Sequence, residues 1–210
     1  MADEPDPPEG ETGGEGAESA EKPRSYLDDG LTTETYELLR KAAAEGDPVA
    51  RYELGMVEVI MGYRQQDQAR VDEGMRSLED AAFAGNGPAA TFLGTIFHEG
   101  KYGKDRNMDL AVMWYKLGAD RGDPLGMSNY GIALQRGDGG VQRNDAAAFR
   151  WIKKAADAGL DVAQYNTALA LYAGRGVKVN RKAAKRYFQL AAKNGIEMAK
   201  MWLYSEDYKE

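Results

Sequence analysis

One spacing governs this chain, because four independent markers recur every 36 to 39 residues. The first is a small residue with a larger one four positions on, then Gly or another residue. It appears at Ala50/Leu54/Gly55, Ala89/Leu93/Gly94, Gly126/Tyr130/Gly131, Ala163/Thr167/Ala168 and Ala199/Leu203/Tyr204. The second is a pair of small residues ahead of a glycine, at Ala42-Ala43…Gly46, Ala81-Ala82…Gly85, Gly118-Ala119…Gly122, Ala155-Ala156…Gly159 and Ala191-Ala192…Gly195. Trp114, Trp151 and Tyr187 form a third series, and Asn107, Asn144 and Asn180 a fourth. A period of this length is the mark of a stacked repeat rather than of a single-core globule.

Each unit reads as two antiparallel helices, A and B. Asp47-Pro48 and Asp123-Pro124 place a capping carboxylate ahead of a proline at the first helical position, where helix A starts. Asn107, Asn144 and Asn180 suit the N-cap of helix B, and Gly46, Gly85, Gly122, Gly159 and Gly195 its left-handed C-terminal residue. Glycine turns at Gly100…Gly103, Gly137…Gly140 and Gly174-Arg175-Gly176 join the two. The recurring small residues let backbones approach, and Trp114, Trp151 and Tyr187 are expected to fill the space between units as core. One such unit cannot cover its own apolar face, so stacking must supply the core. On that reading Trp151→Ala costs about 3–5 kcal/mol.

The pattern resembles the Sel-like repeat, in which A-x-x-x-L-G, then G-x-G-V, then A-x-x-W and A-A-x-x-G follow in order. It is carried best by residues 89–122, 126–159 and 163–195, the last with Gly174-Arg175-Gly176-Val177 and Ala191-Ala192-Lys193-Asn194-Gly195. The resemblance, over about residues 32–208, implies an all-α fold: a right-handed α/α superhelical solenoid related to tetratricopeptide repeats. It further implies an adaptor or scaffold for protein complexes, of a kind common in bacteria. The stretch after Ala50 departs from the pattern, with Ser77 where the others carry Trp or Tyr and no G-x-G-V within residues 62–67. The cysteine pairs of secreted, disulfide-bearing relatives are absent.

The expected organisation is an acidic, disordered tail at residues 1–30 and a solenoid over 31–208. A half repeat at 32–46 leads into repeats at about 47–85, 86–122, 123–159 and 160–195, and a half repeat at 196–208 closes the array. Of the net charge of -7, the tail holds ten acidic side chains against Lys22 and Arg24. Residues 31–210, with 25 basic and 24 acidic side chains, are therefore nearly neutral. A neutral body argues against nucleic acid as partner, since phosphate neutralisation supplies most non-specific affinity. No run approaches the roughly 18 apolar residues of a membrane helix, so no membrane insertion is expected. With no signal peptide in the sequence the default compartment is the cytoplasm, or the periplasm or exterior if a leader has been removed.

Little here suggests chemistry. There is no cysteine, and His98 is the sole histidine, so neither a histidine-based triad nor a His/Cys metal site can be assembled. Ser19-Ala20-Glu21-Lys22 matches S-x-x-K but sits in the acidic tail. Gly137-Asp138-Gly139-Gly140 belongs to a repeating turn and has no strand before it, unlike a phosphate loop. Asp120 and Asp123 flank helix ends, as caps do. No catalytic residue, cofactor or metal is assigned.

A helical wheel with the small residue as position 1 puts core positions 1, 5, 9 and 12 on one side of helix A and 3, 7 and 10 opposite. The opposite side reads Tyr52, Met56 and Val59; Thr91, Thr95 and His98; Ser128, Ile132 and Gln135; Tyr165, Leu169 and Tyr172. Asn129 and Asn166, at matched positions, are placed to hydrogen-bond an extended backbone. The expected role of this face is a groove for a protein or peptide partner, the alternative being packing between neighbouring A helices. Arg181, Lys182, Lys185 and Arg186 gather at the start of the last helix B, either as a solvated face or as an attractor for an acidic segment. The aromatic C-terminal half repeat, with Met201, Trp202, Tyr204 and Tyr208, offers a face for self-association. The leading function is thus partner binding, with a self-assembling subunit as second and a hydrolase of cell-wall or peptide substrates as a distant third.

Overall fold

The computed structural model describes residues 31–204, and all regular structure among them is helical. The order is α1 (Thr33–Ala44), α2 (Pro48–Gln65), α3 (Gln68–Phe83), α4 (Gly87–Glu99), α5 (Met108–Asp120), α6 (Pro124–Arg136), α7 (Asp145–Asp157), α8 (Asp161–Ala173), α9 (Arg181–Lys193) and α10 (Glu197–Tyr204). Each helix packs on the next, and α4 also touches α6. The even-numbered helices are the A helices and the odd-numbered the B helices. The acidic tail and Tyr208 lie outside the described residues.

The asparagine series has two jobs in this arrangement. Its side-chain oxygens cap the B helices, accepting from the N–H of Leu110, Ala147 and Ala183 at 3.0, 2.9 and 3.0 Å. Its own backbone N–H groups donate to the carbonyls of Phe97, Leu134 and Leu171 at 2.8, 2.8 and 2.9 Å, clamping the A–B loop shut. One residue thereby starts helix B and fixes its angle to helix A. Asp47 and Asp123 cap α2 and α6 with proline next in sequence, as expected, and all five B-helix terminal glycines have positive φ.

Close approach explains the small residues. Ala50, Ala89, Ala163 and Ala199 are fully buried. A Cβ on Gly94 would lie 2.6 Å from the Tyr115 ring, and one on Gly131 2.7 Å from Ile152, so each hairpin closes with a B side chain against bare A backbone. The fold keeps its core as a series of clusters, each shared by successive helices along the stack, instead of a central one.

The region that departs from the pattern solves the same problem differently. α2 has 18 residues and α3 16, against 13 in each of α4 to α9. Their connection shrinks to Gln66, left-handed at φ 59°, and Asp67, which caps α3. Longer helices take up the residues of the missing loop, so the period survives without G-x-G-V. Glu58 on α2 accepts hydrogen bonds from Tyr36 of α1 and Arg70 of α3, tying three helices where the loop clamp is lacking.

The three B-helix aromatics are not equivalent. Trp114 is 5% exposed and lies under Phe83, ring centroids 5.5 Å apart. Trp151 and Tyr187 are only half-buried. The position of Phe83 passes to Asp120 and Asp157 one and two repeats later, so neither has a ring there to cover it, and the Tyr187 hydroxyl donates to Asp157 at 2.5 Å instead.

Candidate functional site

Two recesses open beside the A helices. One, about 170 Å³, lies at α4, α5 and α6, and the other, about 240 Å³, at α6, α7 and α8. They are one site repeated. His98, Tyr115, Asn129 and Ile132 line the first, and Gln135, Ile152, Asn166 and Leu169, each 37 residues later, line the second. Asp138 and Arg175 are matched in the same way, and Arg136 and Ile132 border both recesses.

The A–B loops complete the rims. Gly139 (φ 63°) and Gly176 (φ 69°) lie hard against the start of the preceding B helix, where a Cβ would come within 2.4 Å of Val112 and 1.9 Å of the Asp145 carbonyl. Only glycine permits both that approach and that φ. The residues just before them, Asp138 and Arg175, are thereby held at the recess edge. Asp145 on the second rim is engaged by Arg143 at 3.0 Å.

Polar groups differ in availability. The amides of Asn129 and Asn166 are half-buried and carry no side-chain bond to another described residue, nor do the guanidinium groups of Arg136 and Arg175. His98 is taken: its Nδ1 lies 3.1 Å from the Tyr115 hydroxyl, and burial raises the Tyr115 pKa above the ordinary tyrosine value.

The helical wheel is therefore only partly a surface. Ile132, Asn129, Asn166, Leu169 and His98 line the recesses. Thr91 and Ser128 are each 3% exposed and sealed between helices. Thr91 Oγ1 donates to Asp123 and sits where a Cβ on Gly118 or Gly126 would strike it. Thr95 turns its hydroxyl back to the Thr91 carbonyl at 3.0 Å. Tyr165 and Tyr172 stand edge-on to Phe188 and Trp202, at 5.8 and 4.9 Å, so much of their ring surface is spent inside the stack. Tyr52 packs on the buried cluster around Val59 and Leu93, and Met56 is half-buried. A wheel assigns one direction to a whole helix, whereas the packing of α4 against α6 closes part of the side it calls open. Arg136, Phe149 and Arg175 were not among the wheel residues; the 37-residue match between Asp138 and Arg175 was the available signal.

These recesses belong to repeats that match the Sel1 repeat model over residues 32–47, 87–123, 124–160 and 161–196. The chain belongs to the Sel1 repeat family. The unmatched stretch 48–86 is the hairpin with long helices and a two-residue turn. Among solved structures, the Sel1 repeat protein of Oxalobacter formigenes is similar at 25% identity and a TM-score of 0.66, over 81% of this chain and 67% of that one. A protective antigen of uropathogenic Escherichia coli with the same repeat fold, c5321, is 28% identical with a TM-score of 0.66, over 80% of this chain and only 35% of that one. Among curated proteins none matches the chain. No helix among the described residues is long and apolar enough to cross a membrane.

Proposed function

We propose that this Sel1 repeat protein is a non-catalytic adaptor that holds an extended segment of another protein along the A-helix face of α4, α6 and α8. The observation that carries this is the repeated recess. A site that recurs in two successive stacked units suits a ligand that is itself linear and periodic, and repeat arrays use such surfaces for binding. Each recess combines an apolar floor, Ile132 or Leu169, with an unengaged amide, Asn129 or Asn166, whose donor and acceptor can both serve a peptide backbone. His98, bonded to a tyrosine rather than a carboxylate, supports binding over hydrolysis.

The test is affinity capture with Asn129→Ala plus Asn166→Ala against the parent chain. Both sites lie on the recess surface, so the unfolding midpoint should hold while captured protein falls at least tenfold. Equal capture by both chains would remove the recesses from the function. Self-association is a second reading, favoured by Met201 and Tyr204 of α10, 65% and 80% exposed; a mass that rises with concentration supports it.

A further inference from the structure

The two recesses are the same site by position but not by chemistry. That of α4 and α6 is floored by rings and aliphatic groups, among them Tyr115, Val112 and Met108, and its rim carries Arg136 and Asp138 in balance. That of α6 and α8 has two arginines on its rim, Arg136 and Arg175, neither bonded to another described side chain. Its one carboxylate, Asp145, is already paired with Arg143. The first therefore suits a compact apolar ring, and the second an anionic side chain, which arginines grip through charge-assisted hydrogen bonds.

Their spacing sets a further condition. Packed helices lie about 8–10 Å apart, and α4 touches α6, so successive recesses are separated by about one helix width. A polyproline II segment advances about 9 Å in three residues and returns to the same face. A fitting ligand thus carries a proline and a carboxylate three residues apart. This chain contains that pattern twice in Asp3-Glu4-Pro5-Asp6-Pro7-Pro8-Glu9-Gly10-Glu11, as Glu4 with Pro7 and as Pro8 with Glu11.

Resting on the recess reading above, we propose that residues 3–11 of this chain are a ligand of its own tandem recesses, a proline ring beside Tyr115 and a carboxylate between Arg136 and Arg175, in competition with foreign segments. Reach is not limiting. Residues 12–30 span up to about 60 Å at the extended rise per residue. The path from α1 across α2 and α4 to α6 is about three helix widths, roughly 30 Å.

The chain has no cysteine, so Gly13→Cys gives a single thiol for a nitroxide label in the full-length protein. The expected result is broadening of the backbone amide resonances of Asn129, Ile132, Asn166 and Leu169, independent of protein concentration. Arg136→Glu plus Arg175→Glu should abolish it without shifting the unfolding midpoint. Broadening only between labelled and isotope-enriched molecules in a mixture would mean a second copy supplies the segment, and would overturn the intramolecular claim. Broadening that persists in the double arginine variant would overturn the assignment to these recesses. If the label has no effect, a synthetic peptide of residues 3–11 is titrated onto the isotope-enriched parent chain. Shifts at the recess with the peptide but no label effect would sink self-occupancy and leave the adaptor reading standing. No shift with either would sink this inference and weigh against the recesses as a peptide site.

Discussion

Thr91 of α4 and Asp123, the cap of α6, are joined by a hydrogen bond of 2.5 Å in which the threonine hydroxyl donates to the carboxylate. The same carboxylate oxygen accepts from the Gly126 N–H at 2.8 Å. One acceptor therefore both starts an A helix and latches it to the previous A helix. Thr91→Val keeps the shape and leaves the buried side of that carboxylate short of a donor. A loss of about 2 kcal/mol is expected, the range for hydrogen bonds to charged groups. A urea titration reads it as a lower midpoint at constant slope; an unchanged midpoint would show the latch to be idle.

The two tryptophans of the B-helix series should separate in the same assay. Trp114→Ala removes a ring buried under Phe83 and is expected to cost about 3–5 kcal/mol. Trp151, half-buried, keeps an edge contact with Tyr130 at 5.8 Å and a lysine, Lys154, 5.0 Å from its ring centroid. Its truncation should cost less than the 3–5 kcal/mol expected from the repeat pattern alone. Equal losses would mean that exposure does not set the ranking.

Thr167 is fully buried on α8, and its hydroxyl has no hydrogen-bond partner. It occupies the position held by Leu93 and Tyr130 in the two preceding A helices. Thr167→Val exchanges the unsatisfied hydroxyl for a methyl of similar size, and should stabilise the fold by about 1 kcal/mol. A drop in the unfolding midpoint would show instead that the hydroxyl is satisfied in solution.

Stability should fall on the alkaline side. Burial is the first cause holding Tyr36, Tyr52, Tyr115 and Tyr187 above the ordinary tyrosine pKa, with Glu58, Asp123 and Asp157 adding to it at Tyr36, Tyr52 and Tyr187. Unfolded tyrosines ionise near pH 10, about where model compounds do. Between that value and the raised folded values the native state binds more protons, so stability falls as pH rises. The contribution is intact below about pH 10 and is lost as pH climbs through the folded pKa values. Urea midpoints taken across that window should decline, and Tyr52→Phe should flatten the decline. A flat or rising midpoint would contradict the assignment.

The sequence by itself determined the repeat, the helix pairs and their ends, because each depends on local chemistry. Asn144 caps whichever helix follows it, and Gly159 takes a positive φ wherever a helix must stop. Such rules need only neighbours in the chain, so their period is legible in one dimension. The tertiary structure decided which side of each A helix is open. Thr91 and Ile132 both fall on the side of the wheel assigned to the groove, yet one is sealed beneath Asp123 and the other lines both recesses. Arg175 reaches the recess only because Gly176 lets its loop settle on α7, one repeat back. Exposure belongs to a pair of elements, not to a position on one, and it is fixed by distances between backbones that no spacing along the chain records.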